Sequence, residues 1–428
     1  MDRREFVGRS SLAAFAGLSA PLSRNSFGIL EQALLATNKG AESLATDDEF
    51  WLEIRKAFVT SPDLIDFDNA NTGPTPQPVF SSYTARGQSL RQAPSERFDK
   101  MWDQLDTVVR PDLATFLGAK REEVAFTPNA TYGLNTVLHG FPLERGDEII
   151  VTNHEYPDMI ETVLQRQKRE GIVMRVIDVP DPDGNRLALI DRLEKAITPR
   201  TKLLLISHVS AWSGEILPVR ELVAAARRHN VATLVDAAQS VGTLHVNFRD
   251  IDADFVATSL HKGLGAPMGT GALLMKTAHI GKVWPLNPPS WDTTKHPMDL
   301  YEWCGTFHMS GYLSTQDALR FQRRLGLERK QARIRFLGDY WQSRVSNLSR
   351  VKILTPKHRS RSFGVASIMI DGIPSEKVAK ALREKGIIVQ DKSGRHSPFK
   401  NAVRVSPGIY ATTRELDRFI AAIKALGS

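Results

Sequence analysis

From about Glu123 onward, the sequence alternates short β-rich runs with runs of helical periodicity, and this alternation constrains the fold more than any other feature. The predicted strands are Val124–Thr127, Glu148–Thr152, Val173–Val179, Lys202–Ser207, Ala232–Asp236, Asp254–Ser259 and Gly271–Met275. Helical patterns lie between most of them, at Tyr132–His139, Asp158–Arg169, Asp191–Ala196 and Val219–His229. Apolar strands separated by helices predict an α/β fold, in which a large, mostly parallel sheet is covered on both faces.

A smaller α+β domain is predicted to follow this sheet. Its expected elements are strand Val365–Ile370, helix Ser375–Glu384, strand Ile387–Gln390, strand Ala402–Ser406 and helix Thr412–Leu426. The length of 428 residues agrees with two to three domains, at about 150 residues per domain. We expect a large domain over residues 75–310 and a small C-terminal domain over 311–428. Residues 46–74 are predicted to pack near the active site, with a helix at Asp47–Phe58 that Asp47 or Asp48 caps.

The N-terminal 45 residues are predicted to be a targeting signal and a linker. A basic segment at residues 2–9 precedes the small, apolar run Ser10–Leu22, which is too short to span about 30 Å of hydrocarbon as a helix. The Arg3-Arg4 pair with Phe6 resembles a twin-arginine signal, and it predicts export of the folded protein to the periplasm. The alternative is a basic N-terminus without a targeting role. No other stretch is long and apolar enough to predict stable membrane insertion.

Charge and cysteine content exclude several classes of protein and of site. Cys304 is the single cysteine, so the chain forms no intramolecular disulfide and no cysteine-based metal site, and we predict no metal. The net charge of +8 is concentrated in residues 320–361, which contain thirteen Lys/Arg against two acidic residues. Because apolar residues are interleaved with these basic ones, we interpret the stretch as a solvated helix face. Nucleic-acid binding would use such a patch as well, but it is the less favoured interpretation.

Residues whose side chains could bind a ligand or take part in a reaction follow several of the predicted strands. In an open α/β sheet, ligands bind at the carboxyl ends of the strands. Residues 128–133 place small side chains and a hydroxyl at a helix start, which is a candidate phosphate site. Tyr156 follows the second strand, Asp236 ends another, and Lys262 lies in a turn that leads into a glycine-rich loop. Each of these residues alone has an ordinary structural explanation. Together, a phosphate-binding helix start, an aromatic side chain that can stack on a ring, a carboxylate and a lysine are what pyridoxal phosphate requires.

These motifs resemble the class V aminotransferase family of fold-type I pyridoxal-phosphate enzymes, and within it the isopenicillin-N epimerase-like branch. The resemblance covers roughly residues 60–425. The matching segments are Asn129–Val137, Gly146–Glu148, Glu155–Pro157, Ser207–Val209, Val235–Gln239 and Ser259–Lys262. The spacing of twenty-six positions from Asp236 to Lys262 also suits the family. The resemblance therefore implies pyridoxal 5′-phosphate as the cofactor.

The resemblance also implies roles for individual residues. Lys262 and Asp236 would be catalytic: Lys262 binds the cofactor covalently and moves the proton at the substrate Cα, and Asp236 keeps the ring nitrogen protonated. Arg404 would bind the substrate carboxylate, and the loop around Asn71 would line the substrate side. The residues implied in cofactor binding are Ala130, Thr131, Tyr156, Asp236, Ala238, Gln239, Ser259, His261, Lys262, Gly305 and Thr306.

Within this set, the resemblance distinguishes the parts of the cofactor. Tyr156 would stack on one ring face, Ala238 would pack on the other, and Gln239 would hydrogen-bond the phenolic oxygen. Ala130 and Thr131 through the backbone, with Ser259 and His261, would bind the phosphate. Gly305 and Thr306 would reach the phosphate of a partner subunit, so a homodimer with shared active sites is expected.

Two departures from the family bear on the reaction. Cysteine desulfurases of this family carry a nucleophilic cysteine in a C-terminal loop, but the corresponding stretch here, Lys392–Pro398, has none. Cys304 lies beside Gly305 and is interpreted as a packing residue, so desulfuration is disfavoured. Several relatives also have a polar residue where this chain has Ala211-Trp212, which affects substrate recognition.

The reaction itself is left with ranked alternatives. An aminotransferase acting on an amino-acid or peptidic substrate is the first prediction, an epimerase or racemase the second, and a lyase the third. A dinucleotide site at Gly263-x-Gly265 fails in context, because the loop leads into a predicted strand rather than a helix. A non-catalytic binding protein on the same scaffold is the non-enzyme alternative, and the presence of Lys262, Asp236 and Gln239 together argues against it.

Overall fold

The structure, a computed structural model, describes residues 26–427. Its N-terminal region is helical, with one short strand. The elements are α1 Ser26–Leu35, α2 Ala41–Ala45, α3 Asp48–Arg55, β1 Ile65–Asp66, α4 Gln77–Gln92, α5 Pro94–Gln104 and α6 Arg110–Leu117. The predicted linker is wrong for residues 26–45, because α1 and α2 bury Leu30 and Leu44 in the core. The predicted twin-arginine segment lies outside the described residues.

The helix predicted at Asp47–Phe58 is confirmed in a shorter form as α3. Asp47 is the capping residue, since its carboxylate accepts a hydrogen bond from the Phe50 backbone N–H at 3.1 Å. This bond satisfies one of the amides that the first turn of a helix leaves unpaired. Phe50, Trp51 and Ile54 are buried, so the apolar face of the helix fixes this segment to the body of the protein.

A seven-stranded sheet forms the centre of the molecule. Its strands are β2 Val124–Thr127, β3 Glu148–Thr152, β4 Val173–Ile177, β5 Thr201–Ser207, β6 Ala232–Asp236, β7 Phe255–Ser259 and β8 Gly271–Met275. The spatial order is β2-β8-β7-β6-β5-β3-β4; β8 is antiparallel to both of its neighbours, β2 and β7, and the other four pairs of strands are parallel. The predicted mostly parallel sheet is therefore confirmed. The strand predicted at Val173–Val179 ends two residues earlier.

Helices cover both faces of this sheet. They are α7 Ala130–Gly140, α8 Pro157–Glu170, α9 Ala188–Ala196, α10 Val219–Arg228 and α11 Phe248–Ile251. Alternate residues of β5 are buried in two different apolar cores, one on each face of the sheet. Leu204 packs in one core, and Leu203 and Leu205 pack in the other. Strands that are apolar on both faces are what the sequence pattern predicts for a covered parallel sheet.

Three helices lead from this sheet to the small domain: α12 Asp299–Glu302, α13 Met309–Leu325 and α14 Leu327–Val345. The basic stretch lies largely on α13 and α14. Arg323 and Arg359 are exposed and pair with carboxylates, as a solvated face requires. The interpretation is wrong for Lys330 and Arg333, which are buried. Burial of these two cations is a tertiary effect, because α14 packs against α2 and α16 (Thr413–Gly427).

The small domain is an α+β unit, as predicted. Besides α16, its elements are β9 Val351–Ile353, β10 Ala366–Ile370, α15 Ser375–Glu384, β11 Ile387–Ile388, β12 Gln390–Asp391 and β13 Val403–Val405. Four strands form an antiparallel sheet in the order β12-β13-β10-β9. The single strand predicted at Ile387–Gln390 is divided, because β11 pairs instead with β1 of the N-terminal segment. In residues 26–427, no helix is long and apolar enough to cross a membrane.

Candidate active site

The N-terminus of α7 forms the first part of the candidate site. Asn129 caps this helix through a 2.8 Å bond from the Tyr132 N–H to its side chain, and the Ala130 N–H donates to Ser259 Oγ at 3.0 Å. Gly271 passes directly beneath, where a Cβ would lie 2.6 Å from the Asn129 Cα. The structure therefore brings Ala130, the adjacent Thr131 and Ser259 together at a helix start, which is a favourable place for an anion.

Asp236 ends β6 at the same edge of the sheet. Its Oδ1 accepts a 2.8 Å hydrogen bond from the Ala238 N–H, while Oδ2 accepts none from the described residues. Burial raises the pKa of this carboxyl, and the Ala238 bond and the Lys262 charge act against that shift. The free oxygen can accept a bond from a protonated ring nitrogen, which is the role predicted for Asp236.

Lys262 lies in the turn after β7. Burial lowers the pKa of its amine, Asp236 acts in the opposite direction, and Arg404 lowers the pKa further. The neighbouring His261 Nδ1 donates to the Thr270 carbonyl at 2.9 Å, which holds the turn closed. The structure thus places Lys262 close enough to Asp236 and Arg404 for their charges to act on the amine.

The backbone that follows Lys262 is held by two side chains from the connecting helices. Lys330 Nζ donates to the Gly263 carbonyl and, at 3.2 Å, to Gln322 Oε1. Gln322 Nε2 donates to the carbonyls of Gly263 and Leu264. Lys330 forms no ion pair within residues 26–427, and burial lowers its pKa to about 7. Sequence reasoning missed this support, because Lys330 lies in a stretch that was interpreted as solvated.

Glu155 and Tyr156 follow β3. The Glu155 carboxyl is buried and accepts bonds from Thr152 Oγ1 at 2.6 Å, Ser207 Oγ at 2.7 Å and the Ser207 N–H at 3.1 Å. Burial raises the pKa of Glu155 to about 7. Tyr156 precedes α8 and keeps 37% of its surface exposed, so its ring is accessible to a planar ligand. Its stacking role stays a prediction.

Gln239 connects the sheet edge to the N-terminal segment. Its Nε2 donates to the Ala70 carbonyl at 2.8 Å, which places the loop containing the exposed Asn71 beside the site. Ala238 is buried in one of the two sheet cores. The predicted contact of Gln239 with the phenolic oxygen and the substrate role of Asn71 stay predictions.

Arg404 is buried in β13, and its guanidinium already has partners. Nη2 donates to Asp68 Oδ1 at 2.7 Å, Nη1 donates to the Ala211 carbonyl at 3.1 Å, and Nε is buried without a partner in the described residues. Sequence reasoning identified Arg404 but missed Asp68. The fork predicted to bind a substrate carboxylate therefore has part of its donor capacity engaged by the protein itself.

A second cation, Lys392, lies beside Arg404 and was not predicted as a site residue. Its Nζ lies 5.1 Å from the centre of the Trp212 ring. Burial lowers the pKa of Lys392 to about 7, and Arg404 contributes to that shift. Trp212 is held in place by a 3.1 Å bond from its Nε1–H to the Glu155 carbonyl. The sequence offered one signal for this site, because Ala211-Trp212 stands where several relatives of the family have a polar residue.

Gly305 and Thr306 lie between α12 and α13, on a loop where Thr306 is exposed. The Tyr132 hydroxyl donates to the Trp303 carbonyl at 3.5 Å, so this segment begins near the start of α7 in the same chain. Burial raises the pKa of the Cys304 thiol, which disfavours a thiolate nucleophile. The reach of Gly305 and Thr306 to a partner subunit stays a prediction.

Comparison with known proteins identifies the family. The family model "Aminotransferase class-V" matches residues 65–419. The chain belongs to this family. Isopenicillin N epimerase of Amycolatopsis lactamdurans is 29% identical over 397 residues, which cover 88% of this chain and 98% of that protein.

Solved structures agree with this assignment. The apo cysteine desulfurase of Thermococcus onnurineus NA1 has a TM-score of 0.77 and 27% identity, and the match covers 88% of this chain and 97% of that one. A C-DES mutant with glycine covalently linked to its pyridoxal-phosphate cofactor has a TM-score of 0.78 at 23% identity, covering 87% and 99% of the two chains. The predicted fold-type I class is confirmed.

This member of the class V aminotransferase family is therefore a pyridoxal-phosphate-dependent enzyme that acts on amino acids. The residues present fit the cofactor. The free oxygen of buried Asp236 suits a ring N–H, and the α7 start with Ser259 suits a phosphate. The cofactor prediction is confirmed, whereas the individual residue roles stay predictions.

Proposed function

We propose that this enzyme removes the Cα proton of an amino acid or peptide and transfers its amino group. The observation that carries the proposal is the position of Lys262, whose partly buried side chain lies within electrostatic reach of both Asp236 and Arg404. Burial of a lysine makes its neutral form more accessible near neutral pH, and the neutral amine is the form that accepts a proton.

The chain's own residues then divide the work. Lys262 holds the cofactor and accepts the Cα proton, Asp236 holds the ring nitrogen, and Arg404 orients the substrate by its carboxylate. Pyridoxal phosphate supplies an electron sink that stabilises negative charge at Cα. Ala130, Thr131, Ser259 and His261 are proposed for the phosphate, with Tyr156, Ala238 and Gln239 around the ring.

The lack of a nucleophilic cysteine in residues 392–398 favours transfer over desulfuration. Residues 392–398 contain no cysteine, and the one cysteine of the chain, Cys304, has a raised thiol pKa. In transfer, one base would remove the proton from Cα and deliver it to the cofactor carbon instead of returning it to Cα, and Lys262 would perform both steps. Desulfuration instead requires an activated thiolate at the substrate sulfur.

Epimerisation is the second candidate, because the similarity to isopenicillin N epimerase extends over 98% of that protein. Epimerisation needs proton return to the opposite face of Cα, and therefore a second proton donor. Transfer and epimerisation begin with the same proton removal, so they differ only in where the next proton goes.

Deuterium exchange separates the two reactions. The purified, cofactor-loaded enzyme is mixed in deuterium oxide with a panel of amino acids and short peptides. Transfer predicts that an effective donor bleaches the visible cofactor band without any added acceptor. Deuterium at Cα with inversion, and no bleaching across the panel, would favour epimerisation instead.

We also propose export and dimerisation. The Arg3-Arg4 pair supports export through a twin-arginine route, and replacing both arginines by lysine should retain the protein in the cytoplasm. Export of this variant to the periplasm at the wild-type level would contradict the proposal. The family's shared active sites support a homodimer.

A further inference from the structure

Two cations converge on one dipeptide at the substrate side of the site. Arg404 Nη1 donates to the Ala211 carbonyl at 3.1 Å, and Lys392 Nζ lies 5.1 Å from the ring centre of the next residue, Trp212. The dipeptide is rigidly held, since Trp212 Nε1 is bound to the Glu155 carbonyl and Ser367 Oγ donates to the Trp212 carbonyl. The side chains of Arg404 and Lys392 therefore both lie against the dipeptide Ala211-Trp212, whose position is fixed by these hydrogen bonds.

The strand register explains this convergence. In the antiparallel β12–β13 pair, Gln390 lies opposite Arg404, and the Lys392 N–H donates to the Ala402 carbonyl at 2.8 Å. Residues two apart on a strand point to the same face. Lys392 and Arg404 are thus diagonal neighbours on one face of the β12–β13 pair. Their side chains are long enough to reach a common ligand.

Nearby anions do not neutralise Lys392. Asp68 pairs with Arg404, and Asp236 lies on the Lys262 side of the site. The adjacent Asp391 accepts hydrogen bonds from Ser375 Oγ at 2.6 Å and Ser393 Oγ at 2.8 Å. Lys392 forms no ion pair within residues 26–427. Arg404 and Lys392 act on each other electrostatically, and Arg404 alone of the two is ion-paired with a carboxylate, that of Asp68, so a second carboxylate next to both cations would be stabilised.

We propose that Lys392 binds the substrate carboxylate together with Arg404, so that one anion lies between the two cations beside Ala211-Trp212. The proposal rests on the proposed function, in which an amino substrate reaches Lys262. It assigns the substrate to amino acids and peptides with a free carboxylate next to the reacting carbon. Lys392 is then a specificity-determining residue, since the ammonium recognises the charge of the substrate rather than the reacting atoms.

A pair of cofactor reagents tests the proposal without knowledge of the natural substrate. Aminooxyacetate carries a carboxylate, whereas methoxyamine is its counterpart without one, and both react with the cofactor carbonyl. The measurement is the second-order rate constant for loss of the visible band of the loaded enzyme, taken separately for each reagent. The ratio of the two constants reports carboxylate recognition, and the methoxyamine constant reports the integrity of the site.

Lys392→Met should lower this ratio about tenfold, which corresponds to about 1.4 kcal/mol of carboxylate binding, and most of the loss should appear in the aminooxyacetate constant rather than in the methoxyamine constant. Lys392→Arg keeps the charge and should retain most of the ratio. Lys380→Met, on the exposed side of α15, is the matched control and should behave as the wild type.

Other outcomes overturn the proposal in distinguishable ways. A wild-type ratio in Lys392→Met shows that Lys392 does not bind the carboxylate, while the visible band leaves the proposed function standing. An unchanged ratio combined with slower Cα deuterium exchange identifies Lys392 as a proton donor and also overturns the proposal. Absence of a visible band in cofactor-treated wild type contradicts the proposed function itself.

Discussion

Arg404 Nη2 donates to Asp68 Oδ1 at 2.7 Å, and this buried ion pair joins the small domain to the N-terminal segment. The two residues are 336 positions apart in the chain. Because both side chains are almost fully buried, each charge depends on the other for compensation. The pair therefore fixes the position of Arg404 at the substrate side of Lys262.

Removing Asp68 should destabilise the protein strongly. Asp68→Ala leaves the buried Arg404 guanidinium without its carboxylate, and we expect the free energy of unfolding to fall by about 3–5 kcal/mol. The double variant Asp68→Ala/Arg404→Met should be more stable than Asp68→Ala alone. Asp339→Ala is the control, because its pair with Arg359 is exposed and should contribute less than about 1 kcal/mol. Denaturant unfolding measures all four proteins, and equal losses for Asp68→Ala and Asp339→Ala would contradict the prediction.

Lys262 should be the single attachment point of the cofactor. Purified wild-type protein should be yellow, and Lys262→Ala should lose both the visible band and turnover while keeping the wild-type circular dichroism. Reduction with borohydride followed by peptide mapping should place the cofactor on Lys262. Lys282→Ala, at an exposed lysine, should stay yellow. A wild type that remains colourless after addition of pyridoxal phosphate would contradict this prediction.

Lys330 should give the stability a pH dependence of defined sign. Its folded-state pKa is about 7, against an ordinary value of 10.5, so between these pH values the unfolded chain binds the extra proton. The free energy of unfolding therefore rises with pH inside this window, by about 1.4 kcal/mol per pH unit at most, and below the window the penalty for the buried cation is complete and no longer changes with pH.

Lys330→Met tests this sign directly. The difference in unfolding free energy between wild type and Lys330→Met should increase steadily from pH 7 to pH 10 in denaturant titrations. Lys377→Met, at an exposed lysine of α15, should show no such trend. A difference that stays constant with pH would mean that Lys330 is charged throughout the folded protein.

A shared active site predicts complementation between two inactive variants. Lys262→Ala lacks the attachment point, and Thr306→Asp places a negative charge where the partner's phosphate is expected. In a mixed dimer, one site combines an intact Lys262 with an intact Thr306, so random exchange should restore about a quarter of the wild-type activity. No recovery after exchange, confirmed by mass measurement of the mixed dimer, would place Thr306 in its own chain's site.

Local sequence patterns were sufficient to predict the central sheet and the part of the site at its edge. The boundaries of β2, β3, β6 and β8 agree with the predicted ones, because short apolar runs between helical patterns leave few alternatives. Parallel strands align their carboxyl ends at one edge. Asp236, Tyr156 and Lys262 could therefore be assigned to one site from their positions after strands.

Tertiary structure alone decided the substrate side. Local patterns do not encode which strands pair, so the division of Ile387–Gln390 and the diagonal placement of Lys392 beside Arg404 follow only from the observed register. Nor do they encode which charges become buried. The Asp68–Arg404 pair joins distant segments, and Lys330 becomes buried because of how α14 packs. Strand periodicity is a local property of the chain, whereas pairing and charge burial depend on contacts between segments that are far apart in it.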